Sequence, residues 1–219
     1  MRAFPIALTR RASIAALGAA LGAAALLAGC SGSGGASGAA EGDMALGAPE
    51  GTKVTVVEYA SVTCHVCAAW QNENWAEFKT RYVDTNKVRY VFREIPTPPV
   101  PVAVAGFQIA RCAGEDKYFD VVHALMSTQG EWQNGGDPRD TLFRIGNGVG
   151  LSNDRIQACI TDPEGIAAIE ARAEAARKAG VAGTPTFFVN GVKVETPGSQ
   201  SGTSLADLSA AIEAELAKS

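Results

Sequence analysis

A chain of 219 residues has room for one domain of ordinary size with short extensions. Hydrophobic residues make up 47% of it, which is enough to bury a core, and the formal net charge is −4. Because the chain is mildly acidic and has no long run of lysine or arginine, nucleic acid is excluded as an expected partner. No apolar stretch beyond the N-terminus is long enough to span a bilayer.

The N-terminus, residues 1–29, has the pattern of an export signal. Its first 12 residues contain three arginines and no acid, and the following 16 are uncharged and mostly apolar. An uncleaved membrane anchor is the alternative, although this stretch is short for a transmembrane helix. Residues 27–30, Leu-Ala-Gly-Cys, resemble a bacterial lipobox, which predicts that Cys30 is lipidated and becomes the first mature residue. The adjacent Arg10 and Arg11 fit both a general secretory and a twin-arginine signal.

Residues 30–51, which begin at this cysteine, are rich in glycine, serine and alanine and have too little bulky apolar surface to fold. We therefore predict a flexible tether. A Gly-rich coil of roughly 20 residues has an r.m.s. reach on the order of 25 Å. The folded domain, predicted at residues 52–219, would then stay close to a bacterial membrane and turn freely over it, facing the periplasm or the cell exterior.

The five cysteines form an odd number, which needs an explanation in an exported protein. If Cys30 is lipidated, four remain: Cys64, Cys67, Cys112 and Cys159. A zinc site made by one close pair and two distant single cysteines is one alternative. However, such sites usually contain a second C-x-x-C or a pair of histidines, and the chain has neither. We therefore predict two disulfides, one local and one long-range, and no metal.

The mature part begins with a strand, a helix and a second strand. Lys53–Tyr59 is short and rich in β-branched residues, which predicts a strand, and aromatic residues at near-helical spacing predict an amphipathic helix from Cys64 onward. Val88–Phe92 is predicted as the second strand, which ends before a proline-rich segment. The predicted helices of the alanine-rich block that follows are Val102–Ala113, Asp116–Ser127, Pro138–Asn147, Asn153–Ile160 and Pro163–Ala179.

Strands return near the C-terminus, at Thr186–Val189 and Val192–Glu195. The Asn190-Gly191 pair between them is a strong signal for a two-residue hairpin. A last helix is predicted from the apolar spacing over Leu205–Leu216, with Ser204 as its N-cap.

The predicted order is therefore β-α-β, a block of helices, and β-β-α. Because the first two strands are joined by a helix, they are expected to be parallel, and the hairpin adds antiparallel strands to the same sheet. The sequence thus predicts an α/β fold in which helices cover a small sheet on both faces. The helical block, at about residues 102–180, is predicted to be an insertion between the two halves.

The sequence Cys-His-Val-Cys at residues 64–67 suits thiol chemistry. A cysteine attacks as a thiolate, and the pKa of a free thiol, about 8.5, leaves few thiolates at neutral pH. The unpaired N–H groups and the dipole of a helix N-terminus stabilise an anion, so Cys64 is predicted to be the reactive sulfur. Cys67 lies one turn inside the helix, where it is placed to resolve a mixed disulfide. His65 either lowers the pKa of Cys64 further or is an exposed residue of the first turn.

Glu58 lies inside the strand that leads to Cys64. A carboxylate in an apolar strand is costly unless it has a partner or a function. Side-chain alternation places Glu58 opposite Val57 but does not decide which face packs under the helix. A functional carboxylate and a solvated residue at the edge of the sheet are therefore both open.

Two motifs in this order resemble a known family. Residues 180–191, GVAGTPTFFVNG, resemble the cis-proline segment of thioredoxin-fold oxidoreductases, and the C-x-x-C before a helix resembles their active site. The helical insertion between the two halves narrows the resemblance to the DsbA-like group, over residues 52–219. The implied fold is a thioredoxin fold with a helical insertion.

The resemblance implies a role for each matching residue. Cys64 is implied to attack, Cys67 to resolve the mixed disulfide, and Pro185 to be the cis-proline. Thr184 before it would offer backbone groups to a bound peptide, strand to strand. Glu58 is implied to be the buried carboxylate beneath the disulfide that helps proton transfer from the resolving cysteine.

The resemblance also implies a structural disulfide between Cys112 and Cys159, because some bacterial relatives carry a second disulfide in the helical block. The chain departs from the DsbA pattern Cys-Pro-His-Cys, since its dipeptide is His65-Val66 and the proline is absent. The strong oxidising power of the group comes from stabilisation of the thiolate in the reduced form. The altered dipeptide therefore leaves the direction of electron flow open.

Together these features predict a membrane-tethered, monomeric thiol–disulfide oxidoreductase that needs no cofactor. Its expected partners are cysteine-containing exported proteins, which it would oxidise, and a redox partner that resets its disulfide. A disulfide reductase or isomerase with the same site is one alternative. A lipoprotein that uses a thioredoxin-like fold only for binding is another.

Overall fold

The computed structural model describes residues 39–199 and 202–218, in which short strands precede and follow a block of consecutive helices. The strands are β1 Met44–Gly47, β2 Thr55–Ala60, β3 Arg89–Glu94, β4 Thr186–Val189 and β5 Val192–Val194. The helices are α1 His65–Phe78, α2 Val100–Cys112, α3 Glu115–Ser127, α4 Gln129–Gln133, α5 Pro138–Gly148, α6 Asn153–Ile160, α7 Pro163–Lys178 and α8 Leu205–Ala217. A π-helical segment, Lys79–Val83, continues α1.

The five strands form one mixed sheet in the order β1-β3-β2-β4-β5. β2 lies at the centre, parallel to β3 and antiparallel to β4. Because parallel strands cannot be joined by a tight turn, the chain crosses over between β2 and β3 through α1. β4 and β5 form the predicted hairpin, in which Asn190 and Gly191 have φ of 46° and 85°, as a type I′ turn requires.

Side-chain alternation along β2 gives the sheet two apolar faces. Val56 and Ala60 belong to the main core, which also contains residues of α1, α8 and the insertion helices. Val57 and Tyr59 point to the other face, where they pack with residues of β3, β4 and α7. Glu58 alternates with Val57 and Tyr59, so it lies on the face of the main core, under α1.

The predicted fold class is confirmed: the chain has a thioredoxin fold in which α2 to α7 are inserted between the β2-α1-β3 and β4-β5-α8 halves. Each predicted helix is present, with bounds that differ by two residues or fewer. Ser204 caps α8, because its hydroxyl accepts from the N–H of Asp207 at 3.1 Å. α4 was not predicted, since five residues are too few to show a helical period.

Residues 44–47 differ from the prediction, which assigned them to the flexible tether. They form the edge strand β1, antiparallel to β3. Their sequence, Met-Ala-Leu-Gly, is too short for a β pattern, and the strand is specified by its partner rather than by its own periodicity. Asp43, just before it, forms a largely buried ion pair with Arg93 at 2.8 Å, which fixes the start of β1 on the domain.

The predicted lipid site Cys30 and the export signal lie outside the described residues. Within residues 39–199 and 202–218, none of the helices is both long enough and apolar enough to cross a membrane.

Candidate active site

Cys64 is the N-cap of α1, at the point where the loop after β2 turns into the helix. Its sulfur accepts a hydrogen bond from the backbone N–H of Cys67 at 3.1 Å, and the first turn of the helix has no acidic side chain. A hydrogen bond from the Cys67 thiol, helped by bonds from the Thr184 side chain and from backbone N–H groups, lowers the pKa of Cys64 to about 6, although burial opposes this. Cys64 is therefore mostly a thiolate at neutral pH.

Cys67 lies one turn inside α1 and is fully buried. Burial, together with its neighbours Cys64 and Glu58, raises the pKa of Cys67, so this sulfur stays a thiol at neutral pH. Both cysteines are reduced in this structure. The pair thus combines one sulfur that is stable as an anion with one that needs a proton whenever it is released from a disulfide.

Glu58 supplies a carboxyl group on the same face of the sheet as this pair. Its side chain is 4% exposed, and the hydroxyl of Tyr90 donates to its Oε2 at 2.5 Å. Burial raises the pKa of Glu58 to about 7, against the effect of the Tyr90 hydrogen bond and with a further contribution from the charge of Cys64. The interpretation as a solvated edge residue is therefore wrong, and the carboxyl exchanges its proton near neutral pH.

His65 is exposed, in agreement with the second of its two interpretations. The groups that lower the pKa of Cys64 do not include it. Its side chain instead lines a groove of about 410 Å³ with Trp70 and Glu73 of α1 and with the loop before α8. His65 thus lies at the rim of a surface beside Cys64, and it is not among the groups that stabilise the Cys64 thiolate.

The Thr184–Pro185 peptide bond is cis, as the family resemblance implied. The backbone carbonyl of Thr184 lies 3.4 Å from the Cys64 sulfur and accepts from the thiol when Cys64 is protonated. Gly202, with φ +83°, brings the loop before α8 against the proline, since a Cβ there would lie 3.2 Å from Pro185 Cγ. Pro185 and this loop line a second groove of about 420 Å³. The predicted peptide-binding segment and the reactive sulfur are therefore in contact.

A network of hydroxyl groups around the active-site loop was not predicted from the sequence. Thr63 Oγ1 donates to the backbone carbonyl of Thr97 at 2.8 Å, and Ser61 Oγ accepts from the Thr97 N–H at 3.2 Å. These bonds join the loop before Cys64 to the loop after β3. The Ser-Val-Thr run before the cysteine was an available signal, because such side chains often bond to neighbouring backbone groups.

Gln129 of α4 also contributes to the site, although no sequence motif indicated it. Its side-chain amide donates to two backbone carbonyls of the loop that carries Cys64. Because Gln129 lies 65 residues from Cys64 in the chain, no local pattern could have indicated this contact.

Cys112 of α2 and Cys159 of α6 form a disulfide with a Cα–Cα distance of 6.3 Å across a sequence separation of 47 residues. It joins two helices of the insertion, which suits the structural role that the resemblance implied. A four-cysteine zinc site is wrong, because two of its sulfurs are bonded to each other. In the described part of the chain, no three His, Cys, Asp or Glu side chains are grouped so that they could hold a metal ion.

A thioredoxin fold with a reactive sulfur at a helix N-terminus, a buried second thiol and a facing cis-proline defines a class of redox-active thioredoxin-like proteins. The family model described as Thioredoxin matches residues 39–214. The chain belongs to this thioredoxin family.

Individual relatives give a more specific likeness than the family model does. A putative protein-disulfide oxidoreductase of Rickettsia bellii is 33% identical over 181 residues, which are 82% of this chain and 66% of that protein. The crystal structure of alpha-DsbA1 from Wolbachia pipientis is 25% identical, with a TM-score of 0.71 over 81% of this chain and 92% of that one. A thioredoxin-like oxidoreductase from Silicibacter pomeroyi is 26% identical, with a TM-score of 0.63 over 81% and 94%. The chain thus spans just under two thirds of the curated relative and nearly all of the two solved chains.

Proposed function

We propose that this chain is a DsbA-like thiol–disulfide oxidoreductase that oxidises cysteine pairs in exported proteins. The observation that carries the proposal is the position of the Cys64 sulfur, which accepts hydrogen bonds at the start of α1 and has a pKa of about 6. A sulfur that is stable as a thiolate is a good leaving group. Its stability also favours the reduced pair, which makes the oxidised pair a stronger oxidant.

In the first step, a substrate thiolate attacks Cys64 in the Cys64–Cys67 disulfide. A mixed disulfide forms between Cys64 and the substrate, and the electron pair of the broken bond goes to Cys67. Because burial raises the pKa of Cys67, the released sulfur needs a proton. Glu58, with a pKa of about 7, gives this proton at neutral pH and later regains one from solvent.

In the second step, another thiolate of the substrate attacks the substrate sulfur of the mixed disulfide. The substrate disulfide forms, and Cys64 leaves as a thiolate. The substrate loses two electrons, which remain on the reduced cysteine pair until a redox partner accepts them. An extended peptide laid along Thr184 and Pro185 would bring its sulfur to Cys64, since the Thr184 carbonyl lies 3.4 Å from Sγ.

The reduction potential of the Cys64–Cys67 pair tests the direction of this reaction. Equilibration with glutathione should give a value well above that of thioredoxin, about −270 mV, and toward that of DsbA, about −120 mV. A value near that of thioredoxin would make the chain a reductase. A Cys64→Ser variant, in which the Cys112–Cys159 disulfide is kept, should not oxidise a reduced dithiol peptide, and full biological activity of this variant would indicate a binding protein instead.

The same proposal places the protein outside the cytoplasm, anchored to a bacterial membrane through a lipid on Cys30 and facing the periplasm or the cell exterior. The signal pattern of residues 1–30 supports this, and a long-range disulfide such as Cys112–Cys159 persists in oxidising compartments. Metabolic labelling with a fatty acid should mark the wild-type chain and leave a Cys30→Ala variant unmarked. An unlabelled wild-type chain would exclude the lipid anchor.

A further inference from the structure

One contact between the helical insertion and the active-site loop is made by Gln129 of α4, whose side chain is 4% exposed. Its Nε2 donates to the carbonyl of Val62 at 2.8 Å and to the carbonyl of Cys64 at 3.1 Å. Because both acceptors are carbonyl oxygens, the NH₂ end of the amide must face them, and each of its two hydrogens is used.

The Cys64 carbonyl is also the first acceptor of α1, since it accepts from the N–H of Ala68 at 3.0 Å. The same turn of helix aims the N–H of Cys67 at the Cys64 sulfur, 3.1 Å away. A shift of this carbonyl would therefore misalign the sulfur with the helix N–H groups. Hydrogen bonds weaken steeply with such misalignment, and the stability of the thiolate depends on them.

We propose that Gln129 is a positioning residue of the redox site. By holding the carbonyls of Val62 and Cys64, it fixes the turn in which the Cys64 sulfur meets the N–H groups of α1. The helical insertion then contributes directly to the stability of the thiolate. The biological meaning of this inference rests on the proposed function, but its test requires no substrate.

Gln108 of α2 provides a matched control. It is also 4% exposed, and its Nε2 also donates to two backbone carbonyls, those of Cys159 and Asp162, at 3.2 and 3.1 Å. These carbonyls belong to the insertion and not to the active-site loop. Methionine at either position keeps the unbranched shape but has no donor. Gln129→Met and Gln108→Met therefore remove the same two kinds of hydrogen bond from equally buried sites.

Two measurements on each variant separate positioning from stability. Thiolate absorbance against pH reports the pKa of Cys64. The equilibrium in which the protein disulfide and two glutathione thiols give the protein dithiol and glutathione disulfide reports the oxidising strength. Gln129→Met should raise the pKa of Cys64 and shift this equilibrium about two- to tenfold toward the oxidised protein. This is the range expected when one hydrogen bond to the Cys64 sulfur is lost. Gln108→Met should lower the stability but keep both wild-type values.

Wild-type values of both quantities in Gln129→Met would overturn the proposal, and so would equal shifts in Gln108→Met. If Gln129→Met does not fold, Gln129→Asn replaces it, because this amide is too short to reach both carbonyls. It should shift both quantities in the same direction by a smaller amount, and wild-type values would again overturn the proposal. A wild-type Cys64 with an ordinary thiol pKa would contradict the proposed function instead, whereas the differences between variants and wild type test Gln129 in either case.

Discussion

Two glutamates of the sheet, Glu58 on β2 and Glu94 at the end of β3, are buried to a similar extent, at 4% and 1% exposed. Each accepts a hydrogen bond from a tyrosine hydroxyl, Tyr90 for Glu58 at 2.5 Å and Tyr118 for Glu94 at 3.0 Å. They differ in one respect. Glu94 also binds two guanidinium groups, whereas Glu58 has no ion pair among the residues that the structure describes.

The two cations of Glu94 belong to insertion helices: Arg111 of α2 lies at 2.6 Å and Arg172 of α7 at 2.5 Å. Glu94 thereby ties the end of β3 to both helices. Glu58 has no such cation among the described residues, and burial raises its pKa to about 7. Of these two buried carboxyls, Glu94 holds neighbouring elements together through its two ion pairs, whereas Glu58 has a raised pKa.

Glu94→Gln should produce the largest change in stability. The amide leaves Arg111 and Arg172 without their anion, and removing one partner of a buried ion pair costs about 3–5 kcal/mol. Urea unfolding of the oxidised protein measures the loss. The glutathione equilibrium of the Cys64–Cys67 pair should stay within about twofold of wild type, because the substitution is outside the site. A loss below about 1 kcal/mol would contradict the anchoring role.

Glu58→Gln should change how stability depends on pH. Because the pKa of Glu58 rises from 4.5 to about 7 on folding, the folded protein holds this proton more tightly than the unfolded chain does. Relative to the Gln variant, the wild-type free energy of unfolding should therefore fall by about 3 kcal/mol between pH 4.5 and pH 7 and level off above. Urea unfolding of both proteins with the Cys64–Cys67 pair reduced, the state to which this pKa belongs, measures the difference across this range. A difference that is constant or rises with pH would show that the carboxyl is not destabilised by burial.

The parts of the molecule that could be predicted from the sequence are those specified within a few residues. The C-x-x-C at the start of a helix, the Asn190-Gly191 turn and the Ser204 cap are such local patterns, and the structure contains all three. β1 was missed because it is not specified locally: Met44–Gly47 has no apolar alternation and gains its strand conformation by pairing with β3.

The contacts that complete the site are distant in sequence. Glu58 and Tyr90 are 32 residues apart, and Gln129 and Cys64 are 65 apart. The first pair depends on the parallel register of β2 and β3, and the second on how the insertion packs against the active-site loop. A glutamate in an apolar strand indicated that this carboxyl needs a partner or a function. The residue alone could predict neither its partner nor that it has no ion pair among the residues that the structure describes.

Tyr90→Phe should have a smaller effect than Glu58→Gln, and it tests how the Tyr90 hydroxyl acts on the pKa of Glu58. The Tyr90 hydroxyl lowers the pKa of Glu58, so its removal should raise this pKa further. The pH at which the stability difference between Tyr90→Phe and Tyr90→Phe/Glu58→Gln levels off should move upward accordingly. Tyr118→Phe is the matched control, because its hydroxyl bonds to Glu94 and should leave this pH unchanged. A midpoint that stays in place in Tyr90→Phe would mean that the hydroxyl does not set the carboxyl's affinity for its proton.

His65→Ala should have the smallest effect, and it tests whether a cation acts on the Cys64 thiolate. His65 is the titratable side chain nearest to Cys64 in sequence, yet it is exposed and lies in a groove wall, where water and salt screen its interactions. The glutathione equilibrium should change by less than about twofold, within the range of exposed charge interactions. A tenfold shift toward the oxidised protein would show that His65 stabilises the thiolate. A cation would then act on Cys64 although Glu58 has no ion pair in the described part of the chain, and the contrast between the two glutamates would no longer account for the charges of the site.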